Sequence, residues 1–124
     1  MRTPLARVRY LGSAHGGTED FWRQRLTGAA TIVLAIAAIA IMAAAMGRPY
    51  ADVAHIVGSP FAAAVFVLLF AATVVHMRIG MQVIIEDYIT GAGLKVVALA
   101  ANTFFSIAVA VIAIVAVLKL AVGG

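Results

Sequence analysis

The sequence predicts an all-α integral membrane protein with three transmembrane helices. Its N-terminus is cytoplasmic and its C-terminus external, and it packs with other subunits as a helical bundle. Three observations carry this. Of the 124 residues, 65% are hydrophobic and 11% charged, a composition outside that of ordinary soluble domains. Three apolar stretches, Leu26 to Met46, Phe61 to Ile85 and Val96 to Leu118, are each long enough to cross about 30 Å of hydrocarbon as a helix. Finally, the basic residues are unevenly placed. Arg2, Arg7, Arg9, Arg23 and Arg25 precede the first span and Arg78 and Lys95 lie around the second-to-third connection, against Arg48 and Lys119 on the opposite side. Seven against two sets the orientation, because short basic segments stay on the cytoplasmic face.

The chain reads as one membrane domain over 1–124, with 1–25 as a cytoplasmic segment. The net charge of +4 follows from this topology and does not call for nucleic acid. Absence of cysteine excludes an iron-sulfur ligand set, a thiolate metal site and a disulfide framework. Met1 to Asp20 is too polar for a signal-peptide core, so the first helix is expected to remain as its own insertion signal. Three helices barely make a core, and partners in the membrane are expected.

Gly12, Gly16 and Gly17 argue against a continuous helix in the first segment. Thr18, followed by Glu19-Asp20 and Phe21-Trp22, reads as a helix start with aromatics at the interface. The first span is rich in alanine, which lets helix backbones approach closely. Gly47-Arg48-Pro49-Tyr50 ends it, and a loop through Asp52 and His55 leads to Gly58-Ser59-Pro60. Proline suits the first turn of the second helix, which nothing but Gly80 interrupts before Tyr88. Thr90-Gly91-Ala92-Gly93 turns the chain back, Lys95 anchors it, and the third span ends before Lys119.

His76 stands out within the second span. An imidazole at hydrocarbon depth is costly to bury and is commonly there to bind something. Asp87 and Tyr88 follow eleven and twelve residues later. Eleven helical residues turn through about 1100°, which returns Asp87 to within about 20° of His76, roughly 16 Å along the axis. His76 admits three readings: a hydrogen bond to a neighbouring helix, a proton relay, or an axial ligand to haem iron. Gly80, one turn on, leaves room for a flat macrocycle or a close helix. His15 and His55 lie outside the spans, so a second haem ligand would come from another chain.

Asp87 and Tyr88 suit either a plain interfacial helix end or a quinone site, where a phenol donates to a quinone carbonyl beside a carboxylate. Glu86 reads as their solvated neighbour. Arg78, about 200° around the helix from His76, reads as paired or snorkelling. Arg25, at the mouth of the first span, reads as an anchor or as a clamp for a carboxylate such as a haem propionate.

The run Gly12 to Trp22, then Arg25-Leu26-Thr27, then His76-Met77-Arg78-Ile79-Gly80-Met81-Gln82-Val83-Ile84-Ile85-Glu86-Asp87-Tyr88 resembles the D-type hydrophobic membrane anchor of bacterial succinate dehydrogenase, respiratory complex II. The resemblance covers nearly the whole chain. It implies a noncatalytic subunit in the bacterial inner membrane. It further implies partnership with a flavoprotein, an iron-sulfur protein and a second membrane anchor of the C type. Haem b would be shared between the anchors, and succinate-derived electrons would reach ubiquinone, linking the citric acid cycle to the respiratory chain. Carried over residue by residue, His76 resembles the axial ligand to the haem iron and Arg25 the arginine near the propionates. Tyr88 resembles the phenol that bonds the quinone, and Asp87 its acidic neighbour. The alternatives are a fumarate reductase-type anchor running the reverse reaction, and a noncatalytic scaffold or proton-relay or transport subunit.

Overall fold

The computed structural model describes residues 14–123, with side chains from residue 18 onward. They form α1 (Ala14–Ala45), α2 (Tyr50–Val57), α3 (Pro60–Tyr88) and α4 (Ala92–Ala121), with no strand among the described residues. Three segments are long and apolar enough to cross a membrane: Thr18–Ala45, Pro60–Tyr88 and Ala92–Ala121, of 28, 29 and 30 residues. In hydrocarbon the backbone has no water to bond, so an apolar run satisfies its amides internally as a helix. At 1.5 Å per residue these helices reach roughly 40 Å or more, beyond a hydrocarbon core of about 30 Å, so their ends extend into the headgroup layers.

The spans are thus longer than expected, and three local readings are corrected. Residues 14–17 are already helical, although Gly16 and Gly17 argue for a break. Each glycine costs a helix only about 1 kcal/mol relative to alanine, which a 32-residue helix absorbs. Gly12 and the basic residues Arg2, Arg7 and Arg9 lie outside the described residues. The expected loop through Asp52 and His55 is the short helix α2, which follows Pro49 and carries Asp52 in its first turn and His55 in its last. Its Val53 and Val57 join Met42, Ala45, Met46 and Phe66 around one apolar cleft, and the partial burial of both valines favours helix over loop. The return turn is shorter than expected, because α4 begins at Ala92 and takes in Gly93.

Other local signals hold. Gly47 adopts φ of 77° just beyond α1, the left-handed geometry that glycine tolerates without strain. Ser59 precedes α3 and Pro60 opens it.

The long helices form an open row. α3 packs against α1 on one side and α4 on the other, while α1 and α4 do not touch among the described residues. α2 contacts all three and ties their ends together. The buried core comprises Ala38, Ala63, Val65, Phe66 and Val117, and the rings of Phe66 and Phe70 meet at a tilt with centroids 6.2 Å apart. At Gly58 a Cβ would stand 2.5 Å from the Leu120 carbonyl oxygen, so a glycine is what allows α2 and the end of α4 to meet. Of the alanines on α1 only Ala38 and Ala45 are buried within this chain; the other described ones keep part or most of their surface accessible.

Candidate functional site

The site is built where α1 and α3 cross near His76. The two helices run antiparallel, so that Gly28 of α1 lies against His76 while Gln24, one turn earlier, lies against Gly80. A Cβ on Gly28 would come 3.3 Å from His76 Cε1 and 3.6 Å from its Nδ1. The glycine therefore makes a slot for the imidazole. A Cβ on Gly80 would stand 3.3 Å from Gln24 Nε2. Within this chain the space left by the Gly80 side chain faces the end of the Gln24 side chain of α1.

The Nδ1 atom of His76 is 3.2 Å from the Gln24 carbonyl oxygen and 3.3 Å from Thr27 Oγ1. The Thr27 hydroxyl donates its proton to the Arg23 carbonyl at 2.7 Å. Its oxygen is then left as an acceptor toward the ring, and a carbonyl can only accept. Both neighbours of Nδ1 thus accept, which assigns the proton to Nδ1 and leaves the lone pair on Nε2. Nε2 makes no hydrogen bond among the described residues. Gln24 Oε1 and Thr31 Oγ1 are buried without a hydrogen-bond partner, so Gln24, Thr27 and Thr31 form a polar seam down α1.

Gln24 and Gly28 do not stand out in the sequence, and Thr27 does so only within the Arg25-Leu26-Thr27 run. Their signal is spacing: Gln24, Thr27, Gly28 and Thr31 recur at i, i+3, i+4 and i+7, the pattern of one helix face.

The remaining candidates stay apart from the imidazole. Arg25 is exposed and its guanidinium stacks 4.7 Å from the Phe21 ring centroid. The neighbouring Arg23 bonds Glu19 at 2.7 Å, one helical turn back, an exposed pair worth little to stability. Asp87 and Tyr88 are exposed at the end of α3, with Tyr88 keeping 80% of its surface accessible. α3 is unbroken from Pro60 to Tyr88, so the helical geometry relating Asp87 to His76 applies. Glu86 is exposed and accepts from Gln82 at 3.1 Å. Arg78 is half-buried and pairs with no carboxylate among the described residues, while its carbonyl accepts from Asn102 Nδ2 of α4 at 3.0 Å. No group of three or more His, Cys, Asp or Glu is placed to hold a metal among the described residues. His76 can therefore offer one ligand and no more.

Three apolar helices in an open row, with one imidazole held in a slot between two of them, define a small multi-pass membrane subunit. Residues 1–117 match the family described as succinate dehydrogenase/fumarate reductase transmembrane subunit, and the chain belongs to that family. It is similar to the succinate dehydrogenase hydrophobic membrane anchor subunit of Paracoccus denitrificans, with 30% identity over 121 residues, 98% of this chain and 93% of that one. No solved structure gives a significant match. Membership makes this chain a membrane-anchor subunit, noncatalytic by itself, and implies association with other subunits of such a complex.

Proposed function

We propose that the chain is the D-type anchor of a bacterial succinate:quinone oxidoreductase. It would fix the flavoprotein and iron-sulfur subunits to the cytoplasmic face of the inner membrane, share haem b with the second anchor subunit and form part of the ubiquinone site. The observation that carries this reading is the assigned tautomer of His76, whose Nδ1 faces two acceptors, Gln24 O at 3.2 Å and Thr27 Oγ1 at 3.3 Å. A metal-binding imidazole has its other ring nitrogen held by an acceptor in this way.

The residues present fit the group. His76 would supply one nitrogen ligand to the haem iron, and the second would come from the other anchor subunit. The open row of helices supports this, since α1 and α4 do not close around α3. When bound, haem supplies a one-electron carrier whose potential is tuned by its ligands and their hydrogen bonds. Arg25 offers an exposed guanidinium, steadied on Phe21, to a propionate, for which its planar fork suits a carboxylate. Tyr88 donates its phenol proton to a quinone carbonyl and Asp87 provides a nearby acceptor. Both are exposed at the end of α3, where a partner subunit can cover them.

The test is to purify the complex through a tag on this chain and compare reduced-minus-oxidised spectra of the wild type and His76→Ala. A b-type signal that is lost or altered in the variant, in a preparation holding flavoprotein and iron-sulfur partners, bears the reading out. A wild type with neither haem nor such partners overturns it.

A further inference from the structure

We infer that Thr27 is a positioning residue for the His76 imidazole and lowers the midpoint potential of the haem it ligates; this rests on the haem reading above. A threonine that bonds the carbonyl four residues back is ordinary within a helix, and Thr27 does so with Arg23 at 2.7 Å. What sets it apart is a second contact across the helix pair, 3.3 Å to His76 Nδ1, 49 residues away in sequence. The first bond dictates the chemistry of the second. With its proton committed to Arg23, the Thr27 oxygen turns a lone pair toward the ring and accepts from Nδ1.

Nδ1–H is shared between Thr27 Oγ1 at 3.3 Å and the Gln24 carbonyl at 3.2 Å. Distances at the long end of the hydrogen-bond range are those of a three-centre bond. The two acceptors grip the ring from one side while Gly28 leaves its edge room, since a Cβ there would stand 3.3 Å from Cε1, so ring rotation is restricted. An acceptor on Nδ1–H makes the imidazole a stronger electron donor through Nε2. A stronger donor favours the oxidised metal and lowers the potential. The Gln24 acceptor is backbone and survives side-chain replacement, whereas the Thr27 acceptor is removable.

The experiment uses the assembled complex with Thr27→Val, which keeps the shape and removes the hydroxyl, and Thr27→Ser, which keeps the hydroxyl. Haem content, the midpoint potential and the g-values of the oxidised haem are measured for both and for the wild type. Thr27→Val is expected to retain haem and to raise the potential by a roughly threefold to tenfold change in the oxidised-to-reduced ratio, about 28 to 59 mV for a one-electron couple. Its g-values should shift as the ring loses one restraint, and Thr27→Ser should match the wild type.

An unchanged potential and g-values in Thr27→Val, with haem bound, overturn the inference while leaving His76 as ligand. Equal shifts in both variants also overturn it, because packing and not the hydroxyl would then be the cause. Should Thr27→Val fail to assemble, Thr27→Ala is measured against Thr27→Ser with the same criteria. A wild-type complex without haem, or one whose haem is unchanged by His76→Ala, overturns the underlying reading instead.

Discussion

Gly28 of α1 and His76 of α3 fit as slot and insert: a Cβ on the glycine would lie 3.3 Å from the imidazole Cε1. Such a separation would be tighter than most Cβ contacts, and with no Cβ there the ring lies within 3.2 Å of the Gln24 carbonyl. Filling the slot should displace the ring. Gly28→Val is expected to cost about 1 to 3 kcal/mol in overpacking and to lower haem per complex, measured by absorbance against protein content. Gly28→Ala, which asks the ring to move by only tenths of an ångström, should retain most of it. Full haem in Gly28→Val would show that the ring does not depend on this slot.

Gly58 and Gly80 should respond differently to alanine. The Gly58 Cβ would meet backbone, 2.5 Å from Leu120 O and 2.8 Å from Ala54 O, which cannot yield cheaply. The Gly80 Cβ would meet Gln24 Nε2 at 3.3 Å, the far end of a flexible side chain. Thermal unfolding of the complex in detergent should show Gly58→Ala destabilised by roughly 1 to 3 kcal/mol. Gly80→Ala should be neutral or stabilised by up to about 1 kcal/mol from helix propensity.

Asn102 ties α4 to α3 through the Arg78 carbonyl at 3.0 Å. Interhelical bonds of this kind contribute about 0.6 kcal/mol on average and up to about 1.7. Asn102→Leu should therefore weaken the α3–α4 pair by that order, read from the detergent unfolding midpoint. The haem spectrum should not change, because the bond lies on the side of α3 away from α1.

Tyr88→Phe removes only the phenol oxygen from an exposed ring. If that oxygen donates to quinone, its loss costs about 0.5 to 1.5 kcal/mol, raising the KM for quinone by roughly 2- to 13-fold. Succinate oxidation assayed with an artificial dye acceptor should be unaltered, and haem content should stay the same. A quinone KM equal to the wild type would remove Tyr88 from the site.

The charge distribution makes a topological prediction. A phosphatase that is active only outside the cytoplasm should report activity when fused after Val122 or within the Gly47 to Gly58 connection. The same reporter should be silent when fused within Ile89 to Gly91. The basis is six basic residues before the first span or after the second, with Arg78 inside α3 toward the same end, against Arg48 and Lys119 on the other side, and the positive-inside rule. The reverse pattern would invert the proposed placement of Asp87 and Tyr88.

Much of the secondary structure is legible in the residues alone. Glycine at position 47 and proline at 60 act through local sterics, and both mark helix boundaries in the structure. The unbroken run from Phe61 to Tyr88 likewise follows from composition. α2 is not legible, because Asp52 and His55 in eight residues suggest a loop until Val57 has the core around Phe66 to pack against. The importance of His76 is legible from the rarity of imidazole in an apolar span. Its surroundings are not: Gln24, Thr27 and Gly28 meet it across about fifty residues of chain.

By itself, then, the sequence determined that the chain has three helices long and apolar enough to cross a membrane, because in hydrocarbon an apolar run satisfies its backbone only as a helix. It also determined that Gly47 and Pro60 mark helix boundaries and that one of the spans carries an imidazole. Only the tertiary structure decided which residue of α1 faces His76, and hence which nitrogen of the ring holds the proton. The physical reason is that helices apolar on nearly every side carry little periodic signal of which face is packed. Their mutual register is set by how small residues such as Gly28 admit a neighbour, a property of two surfaces together and of neither helix alone.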